Sequence, residues 1–375
     1  MFVSRCLVPR VGIQILDLKR AIADSKATFK SDSKAALSKV RCIAQEIAHR
    51  ALFEIVSGFP VLHKGTMENA PVLVVGSFVQ DLTFGTQSFP MPGETVVGKF
   101  TTGPGGKGSN QAVAARRAGA DVRFVGAVGR DAFADSVRTF YEGEGIDAVL
   151  AEYPNEATGT AAILVNDSGE NEIVVALGAN ERLSPGDIPE GIIRSSSMLI
   201  CQLECNLDAV KNALARASQA GVLRILNPAP MRPDFDPALL GQADIFIPNE
   251  TEFAALLALL ERPVPDNQDP ASLPGDRLDA CCRSLGPPIV LVTLGAHGVH
   301  LSTPEGWERI PAVSGVKAID TTGAGDAFVG AFAAGLLRFN GQHAEAARFA
   351  TKASAICVSR EGTAPAMARL EEIER

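Results

Sequence analysis

The sequence predicts an α/β fold, with a central, mostly parallel β-sheet flanked by helices on both faces and a small antiparallel β-sheet beside it. From Val72 onward, short apolar runs alternate with stretches of helical periodicity. Many of the runs are rich in Val, Ile and Leu, as expected for parallel strands buried on both faces. The antiparallel sheet is predicted from two further apolar segments joined by the turn Asn166-Asp167-Ser168-Gly169.

The elements of the central sheet follow in chain order. Six apolar runs are predicted as buried parallel strands, namely Val72–Val75, Val122–Val128, Leu199–Leu203, Leu223–Leu226, Ile245–Ile247 and Ile289–Thr293. Helical periodicity predicts the helices as Gly108–Ala118, Ala132–Glu142, Leu207–Gln219, Glu250–Leu260, Ala327–Leu337 and Glu345–Val358.

The remaining segments break this alternation. The small sheet is predicted around residues 94–101, with a strand at Glu94–Phe100, and around residues 159–177, with strands at Gly159–Val165 and Asn171–Leu177. Residues 262–275 contain four prolines, which predict an exposed loop because proline sustains neither a helix interior nor a central strand.

Composition excludes several classes of protein. The chain has 375 residues, 46% of them hydrophobic, which is ample for a buried core, and no apolar run long enough to span a membrane. A net charge of −8 argues against a nucleic-acid surface, which would carry a basic face. Seven scattered cysteines predict reduced thiols and a cytoplasmic protein rather than a disulfide scaffold.

Residues 1–69 differ from the rest in charge. They carry 11 Lys and Arg against 6 Asp and Glu, whereas residues 70–375 carry 24 against 37. The segment is therefore predicted to be an extension separate from the domain formed by residues 70–375. Two interpretations stay open: an organelle-targeting presequence, and an upstream start assigned to a chain that begins at Met67. We favour the second, because the first predicted strand begins five residues after Met67.

The most informative stretch is Asp320-Thr321-Thr322-Gly323-Ala324-Gly325-Asp326. A Gly-Ala-Gly turn that opens an apolar helix brings unpaired amides and the positive end of the helix dipole to one point, which is an anion site. Asp326 lies in the first helical turn, where its carboxylate can take a proton from a hydroxyl. A base beside an anion site predicts phosphoryl transfer to an alcohol.

Two motifs together carry a family resemblance. The stretch Asp320–Phe328 resembles a signature of the ribokinase family of sugar and nucleoside kinases, and Gly105-Gly106-Lys107-Gly108-Ser109-Asn110-Gln111 resembles the N-terminal signature of the same family. The similarity extends from about Val72 to about Arg369. It implies a ribokinase-like domain at residues 70–375 in which the small sheet forms a lid over the sugar and the contact of a homodimer.

The resemblance implies a sugar site and a catalytic centre. Asp326 is implied as the catalytic base, with the amides of Gly323, Ala324 and Gly325 as the anion hole. The implied sugar contacts are Val79, Gln80, Asp81, Gly106, Lys107, Gly108, Ser109, Asn110, Glu204 and Asp326. Many members of the family have Asn where this chain has Val79, so one sugar hydroxyl loses a partner there.

The resemblance also implies sites for ATP, Mg²⁺ and K⁺. ATP contacts are implied at Asn249, Thr293, Leu294, Gly295, Ala296, His297, Gly298, Gly325, Asp326 and Thr351, and Glu252 is implied to organise Mg²⁺ through water. Potassium ligands, mostly backbone carbonyls, are implied at Asp320, Thr322, Cys357, Arg360, Gly362 and Ala366. Ala366 stands where the family often has Ser, which removes one oxygen.

The expected activity is therefore ATP-dependent phosphorylation of D-ribose at O5, with no nucleic-acid or membrane partner. Three alternatives stay open. Val79 leaves room for 2-deoxyribose, or another sugar or nucleoside, as the acceptor. The pattern Gly103-x-Gly105-x-x-Gly108, with Asp131 downstream, fits a dinucleotide fingerprint and hence a nicotinamide-dependent oxidoreductase. A non-catalytic sugar sensor is the third alternative, and the intact Asp326 argues against it.

Overall fold

The structure, a computed structural model, describes residues 70–262, 264 and 268–375. The predictions for residues 1–69 lie outside the described residues. The strands in chain order are β1 (Val72–Val75), β2 (Val79–Gly85), β3 (Lys99–Gly105), β4 (Val122–Val128), β5 (Asp147–Glu152), β6 (Thr160–Val165), β7 (Asn171–Ala176), β8 (Met198–Cys201), β9 (Leu223–Leu226), β10 (Ile245–Phe246), β11 (Ile289–Thr293), β12 (Val299–Thr303) and β13 (Gly306–Ile310).

The helices of the described residues are α1 (Lys107–Arg117), α2 (Ala132–Glu144), α3 (Glu190–Arg194), α4 (Leu207–Ala220), α5 (Glu250–Leu259), α6 (Gly275–Leu285), α7 (Ala324–Arg338), α8 (His343–Val358) and α9 (Leu370–Ile373). No helix among them is both long enough and apolar enough to cross a membrane.

The central sheet has nine strands in the order β13-β12-β11-β10-β9-β8-β1-β4-β5. Its strands are parallel from β11 to β5, and β12 and β13 extend it in antiparallel pairing. The chain builds outward from β1 to β4 and β5, then returns to the other side of β1 with β8. A reversal of this kind opens a crevice at the carboxyl ends of the two strands, where open α/β sheets bind ligands.

Alternation along the strands divides the core into two layers. Val72 and Val74 face a layer that α1, α2, α7 and α8 cover, and this layer includes Phe328 and Phe332. Leu73 and the next alternate residues face a second layer under α4, α5 and α6. Because both faces are covered, the strands read as uninterrupted apolar runs, as the sequence predicted.

The small sheet, here called the lid sheet, has the order β3-β2-β6-β7. Its β6 and β7 match the prediction within one residue at each end. The predicted strand at 94–101 is wrong in position, because β3 begins at Lys99 and runs into the glycine motif. β2 was not predicted as a strand; it pairs with both β3 and β6. As an edge strand, β3 tolerates Pro104 and its flanking glycines, which is why its sequence does not look like a strand.

Other differences are local. The strands β5, β12 and β13 and the helices α3, α6 and α9 were not predicted. Helix α7 begins at Ala324 instead of Ala327, because Gly323 turns the chain and the next residues already take helical geometry. The segment predicted as an exposed loop is partly packed: Val264 and Leu273 are buried and Pro270 begins a short 3-10 turn.

Candidate active site

The polar residues predicted for the site follow the ends of four parallel strands, β1, β8, β10 and β11, of the central sheet. Asp81 lies on β2, just beyond the end of β1, and Glu204 follows β8. Asn249 follows β10, and Thr293 ends β11 beside it, bridged to Asn249. Carboxyl ends of parallel strands meet at one edge, so these residues converge on the crevice formed at the reversal of strand order.

The phosphate-side turn is built by Gly323 and the first turn of α7. Gly323 has φ 79°, a left-handed conformation that costs glycine little, and it precedes the first helical residue. The described part of the chain supplies no backbone acceptor for the amides of Gly323, Gly325 and Asp326, whereas the amide of Ala324 donates to the Thr321 carbonyl at 3.3 Å. Three free amides at a helix N-terminus can hold an anion. The amide of Asp326 therefore joins the predicted set, and that of Ala324 is partly occupied.

Asp326 is buried at the bottom of this turn and is held by two amides of α1. Its Oδ2 accepts from Asn110 Nδ2 at 3.0 Å, and its Oδ1 accepts from Gln111 Nε2 at 2.9 Å. Burial raises the pKa of the Asp326 carboxyl above its usual range, although the Lys107 ammonium and these two amides oppose the rise. A buried carboxylate with a raised pKa is suited to take a proton at neutral pH.

Lys107 is the nearby cation in this otherwise acidic site. Burial alone would lower the pKa of its ammonium, but the carboxylates of Asp326, Glu204 and Glu252 outweigh burial and raise it. Lys107 therefore stays protonated, and its charge partly offsets that of the acidic groups. Lys107, Asp326 and the Gly323–Gly325 turn line one cavity of about 130 Å³.

The carboxylate of Glu204, which is distant in the chain, caps the N-terminus of α1. Its Oε2 accepts from the Lys107 amide at 2.8 Å and from Ser77 Oγ at 2.6 Å. Gly106, the residue at the helix start, has no side chain that could cap these amides, and a carboxylate beside them is stabilised by the helix dipole. Glu204 therefore fixes the position of Lys107 as well as lying at the predicted sugar site.

Asp81 faces the site from the lid sheet. A Cβ at Gly105 would lie 2.3 Å from Asp81 Oδ2, so only glycine at 105 lets this carboxylate lie against β3. Thr363 Oγ1 lies 3.2 Å from the same oxygen. Burial raises the pKa of Asp81 to about 6, and the carboxylates of Glu204 and Asp326 add to the rise while the Thr363 hydroxyl opposes it.

The other predicted sugar residues separate into two groups. Val79 shares the Asp81 face of β2, since residues two apart in a strand point the same way. Gln80 lies on the opposite face, where its amide donates to Thr102 Oγ1 at 2.8 Å and to the Gly103 carbonyl, so its position favours a structural role. Gly108 and Ser109 are buried at the α1 packing surface, while Gly106 and Lys107 are partly exposed at the site.

Asn249 and Glu252 form a reciprocal cap at the start of α5. The amide of Glu252 donates to Asn249 Oδ1 at 2.8 Å, and the amide of Asn249 donates to Glu252 Oε2 at 2.9 Å. The second carboxylate oxygen of Glu252 has no hydrogen-bond donor among the described residues. Burial raises the pKa of Glu252, and Asp326 adds to the rise. An oxygen left free in a shared cavity with Asp326 fits a cation held through water.

The predicted nucleotide loop follows β11. Thr293 lines the cavity, Leu294 is buried, and residues 295–297 form a short 3-10 turn that Gly298 ends. Ala296 and His297 are exposed in this turn. Thr351 is buried on α8, and its hydroxyl donates to the Ala347 carbonyl of its own helix at 2.8 Å. Its hydrogen is therefore already used within the protein.

Two of the other predicted potassium ligands, Thr322 and Gly362, contact Asp320. Its two carboxylate oxygens accept the amides of Thr322 at 2.8 Å and of Gly362 at 3.0 Å, which ties the 359–366 loop to the phosphate-side turn. The Thr322 carbonyl lies 4.0 Å from the Cys357 thiol. Arg360 pairs with Glu372, and Ala366 is buried without a side-chain oxygen. Within residues 70–262, 264 and 268–375, no cluster of three His, Cys, Asp or Glu side chains is arranged to bind a metal.

The dinucleotide fingerprint does not have the structural context that it requires. Gly103 and Gly105 belong to β3, an edge strand paired antiparallel with β2, and not to a buried strand of a βαβ unit. Asp131, the downstream acid, caps α2 by accepting the Ala134 amide and also accepts from Thr158. These placements argue against the oxidoreductase alternative.

Three buried amides were not predicted as part of the site. Gln111 contacts Asp326, and Gln202 and Asn227 contact Gln111. Gln111 stands inside the N-terminal signature, while Gln202 and Asn227 directly follow β8 and β9. The sequence did contain a signal for Gln202 and Asn227, because each is a polar residue at the carboxyl end of a buried strand. The same signal led to the prediction of Glu204 and Asn249 as site residues.

Comparison with known proteins shows the family of this chain. Residues 69–369 match the pfkB family of carbohydrate kinases. The chain is 40% identical to a ribokinase of Haemophilus influenzae over 293 residues, covering 77% of this chain and 92% of the relative. It is 36% identical to a deoxyribokinase of Salmonella typhi over 269 residues, covering 70% and 84%.

A solved structure of Arabidopsis thaliana ribokinase complexed with ribose and ATP superimposes with a TM-score of 0.71 at 29% identity, covering 82% of this chain and 98% of that one. The family match spans most of the chain, and the relatives are matched over most of their own lengths. This chain belongs to the pfkB family and is an ATP-dependent carbohydrate kinase.

Proposed function

We propose that this chain transfers the γ-phosphoryl group of ATP to O5 of D-ribose, giving D-ribose 5-phosphate and ADP. The observation that carries the proposal is Asp326, a buried carboxylate of raised pKa at the N-terminus of α7, where the amides of Gly323, Gly325 and Asp326 have no backbone acceptor within residues 70–262, 264 and 268–375. The relatives named ribokinase, and the structural neighbour complexed with ribose and ATP, support ribose as the acceptor.

In the proposed reaction, Asp326 accepts the proton as the O5–H bond breaks. O5 then forms a bond to the γ-phosphorus while the bond from that phosphorus to the bridging oxygen of ADP breaks. The amides of Gly323, Gly325 and Asp326 stabilise the charge on the transferring group, and Lys107 adds a positive charge to the same cavity. Closure of the lid sheet over the sugar excludes water, which would otherwise compete as acceptor.

Asp81 supplies the sugar contact in this proposal. Its carboxylate faces the site and can accept hydrogen bonds from two neighbouring hydroxyls, and Asn110 and Gly106 lie at the same end of α1. Glu252 would hold Mg²⁺ through water, since it lines the cavity and one of its oxygens has no donor among the residues that the structure describes. When bound, Mg²⁺ neutralises negative charge on the phosphates. The nucleotide would lie along Asn249 and the loop 293–298.

The experiment that tests the proposal is an ADP-release screen over pentoses, hexoses and nucleosides, with K⁺ and with tetramethylammonium in its place. We expect D-ribose to give the highest kcat/KM, and we expect K⁺ to raise the rate by ordering the Asp320–Gly362 connection. A nucleoside or hexose preferred over both pentoses would overturn the assignment. Equal rates in the two salts would remove potassium from it.

The second candidate acceptor is 2-deoxy-D-ribose, and Val79 favours it. This buried apolar side chain lies on the Asp81 face of β2 and cannot bind a hydroxyl. The relative named deoxyribokinase supports the same alternative. In Val79→Asn we expect the ratio of kcat/KM for ribose to that for 2-deoxyribose to rise by about 10-fold, the value of one hydrogen bond. An unchanged ratio would exclude Val79 as the discriminating residue.

We further propose a homodimer formed through the lid sheet in a cytoplasmic protein. The face of the lid sheet opposite Asp81 exposes Phe84, Phe100 and Val174, an apolar surface typical of a contact. All five cysteines of the described residues are free thiols, which supports a reducing compartment. Light scattering of Phe100→Glu tests the dimer: the mass should fall to that of a monomer, and an unchanged mass contradicts the contact.

A further inference from the structure

Gln111 is a completely buried amide whose polar atoms are all engaged. Its Nε2 group donates one hydrogen to Asp326 Oδ1 at 2.9 Å and the other to Asn227 Oδ1 at 2.9 Å. Its Oε1 accepts from Gln202 Nε2 at 2.6 Å. An amide with two donors and one acceptor placed in this way has only one orientation that satisfies it.

Asn227, one of the partners of Gln111, is itself held by a hydrogen bond. Asn227 donates its own amide hydrogen to the Ile247 carbonyl at 2.7 Å, so its oxygen must face Gln111. Gln202 is fully buried beside Gly76, where a Cβ would lie 2.1 Å from Gln202 Oε1. The network therefore runs from the backbone of the central sheet, through Asn227 and Gln111, to the carboxylate that lies under the phosphate-side turn.

Burial by itself does not set the direction of a carboxylate. Asp326 has two oxygens, and each accepts one amide hydrogen from α1: Oδ2 from Asn110 and Oδ1 from Gln111. Asn110 is also a predicted sugar contact, so its amide is expected to rearrange when sugar binds. Gln111 is completely buried and does not line the cavity, so we expect its contact with Asp326 to persist when sugar binds.

We propose that Gln111 is a positioning residue that holds the Asp326 carboxylate in the orientation from which it accepts the proton of the sugar hydroxyl. This inference rests on the proposed function and deepens it. Gln111 contacts neither sugar nor ATP; it acts through Asp326. Because its two hydrogens are shared between Asp326 and the sheet-anchored Asn227, it transmits the rigidity of the central sheet to the base.

The alternative is a purely structural role, in which Gln111 only attaches α1 to the central sheet through hydrogen bonds. That role would change stability when Gln111 is replaced, but it would leave the ionisation of Asp326 unchanged. Loss of a donor to a carboxylate raises its pKa, so the acid limb of the rate profile must move to higher pH if Gln111 acts on Asp326. Five other charged or titratable groups lie around Asp326. They are Lys107 on α1, Asp81 on β2, Glu204 in the loop after β8, Glu252 on α5 and Cys357 on α8.

The test is Gln111→Met, which keeps the length of the side chain and removes its polar atoms. Single-turnover phosphoryl transfer from ATP to D-ribose is measured by quenched flow from pH 5 to 9, and ribose affinity is measured by calorimetry without ATP. We expect the transfer rate to fall by up to about 100-fold, the scale of a misplaced catalytic group. We also expect the acid limb to shift upward by about one pH unit and the ribose Kd to change less than about 3-fold.

Asn180→Leu is the matched control for losing a buried amide. Asn180 exchanges hydrogen bonds with the backbone of Phe78 and donates to the Leu177 carbonyl, away from Asp326. It should lower Tm without moving the acid limb. An acid limb in Gln111→Met that coincides with that of the unmodified protein overturns the proposal, as does a shift of equal size in Asn180→Leu.

If Gln111→Met does not fold, Gln202→Met carries the test, because it removes the donor that orients Gln111 and so weakens the hydrogen bond from Gln111 to Asp326 without removing it. A smaller shift in the same direction is expected, and an unshifted limb overturns the proposal. Asp326→Asn separates this inference from the function beneath it. If Asp326→Asn transfers phosphate at the normal rate, Asp326 is not the base. If Asp326→Asn is slow but Gln111→Met and Gln202→Met leave the acid limb unshifted, Asp326 remains the base and the positioning role of Gln111 is wrong.

Discussion

Gly330 of α7 lies directly against the backbone of Gln111 in α1. A Cβ built at Gly330 would come 2.3 Å from the Gln111 carbonyl oxygen and 2.6 Å from the Ala114 Cβ. The absence of a side chain at 330 therefore sets how closely the two signature helices approach. That approach brings the amides of Asn110 and Gln111 within hydrogen-bond distance of Asp326, four residues before Gly330.

Gly330→Ala should for this reason damage both stability and activity. The added methyl group meets backbone atoms on a neighbouring helix, so α1 and α7 must move apart at an expected cost of about 1–3 kcal/mol in the free energy of unfolding. The bonds from Asn110 and Gln111 to Asp326 lengthen, and kcat should fall about 10-fold or more. Urea unfolding and steady-state kinetics measure the two effects.

Gly143→Ala is the control for the helical substitution itself. Gly143 lies within α2, and a Cβ there meets nothing within 4 Å. We expect it to stabilise the protein by about 0.5–1 kcal/mol, with kcat unchanged. If Gly330→Ala behaves like Gly143→Ala, the two signature helices are not held together as tightly as the geometry indicates.

Asp326→Asn should preserve the binding of sugar and ATP and lower kcat by at least about 10²-fold, the scale of the loss of a general base. Asparagine is nearly isosteric and can still occupy the space between Asn110 and Gln111. Calorimetry gives the two dissociation constants, and ADP release gives kcat. Normal turnover in this variant would remove Asp326 from its role.

Gly325→Ala should lower the activity and leave the stability nearly unchanged. A Cβ at Gly325 meets no protein atom within 4 Å, yet Gly325 lines the cavity that is proposed to hold the transferring phosphoryl group. The methyl group would therefore occupy phosphate space, and we expect kcat to fall about 10²-fold while Tm stays within about 2 °C.

Gly323→Ala provides the contrast, because its φ of 79° makes any side chain there strained. It should cost about 1–2 kcal/mol of stability. Full activity in Gly325→Ala would place the phosphoryl group away from this turn.

The affinity for ribose should depend on pH through Asp81. Its pKa of about 6 lies above the value of 3.8 for an unperturbed carboxyl, with burial as the main cause. Only the ionised form accepts hydrogen bonds from two hydroxyls. The ribose Kd should therefore rise as pH falls below about 6, by up to ~10-fold per pH unit. Calorimetry between pH 5 and 8 measures it, and a flat profile would exclude Asp81 as the sugar ligand.

The same raised pKa has a consequence for stability, with the opposite sign from that of a salt-bridged acid. Between pH 3.8 and about 6 the folded protein binds the proton of Asp81 more tightly than the unfolded chain does, so this group's contribution to stability falls as pH rises through that window. Asp81→Asn should raise Tm at pH 7 while weakening ribose binding. A lowered Tm would contradict a buried, destabilising charge.

The sequence by itself determined the alternation of buried strands and helices from Val72 onward, and it located Asp326 beside a glycine turn. Both are local properties: strands covered on two faces have a continuous apolar pattern, and a helix N-terminus needs only its own amides. The same local reasoning did not find β2 or the true position of β3, whose pairing is with distant strands and whose sequence is interrupted by glycine and proline.

Only the tertiary structure decided which side chains meet. The relation between Gln111 and Asp326 spans 215 positions in the chain, and that between Glu204 and the amide of Lys107 spans 97. The alternation of β2 put Asp81 at the site and Gln80 on the opposite face, a choice that depends on the register of the lid sheet. Contacts of this kind follow from how strands are ordered and how closely α1 packs on α7, and neither is encoded in any short segment of sequence.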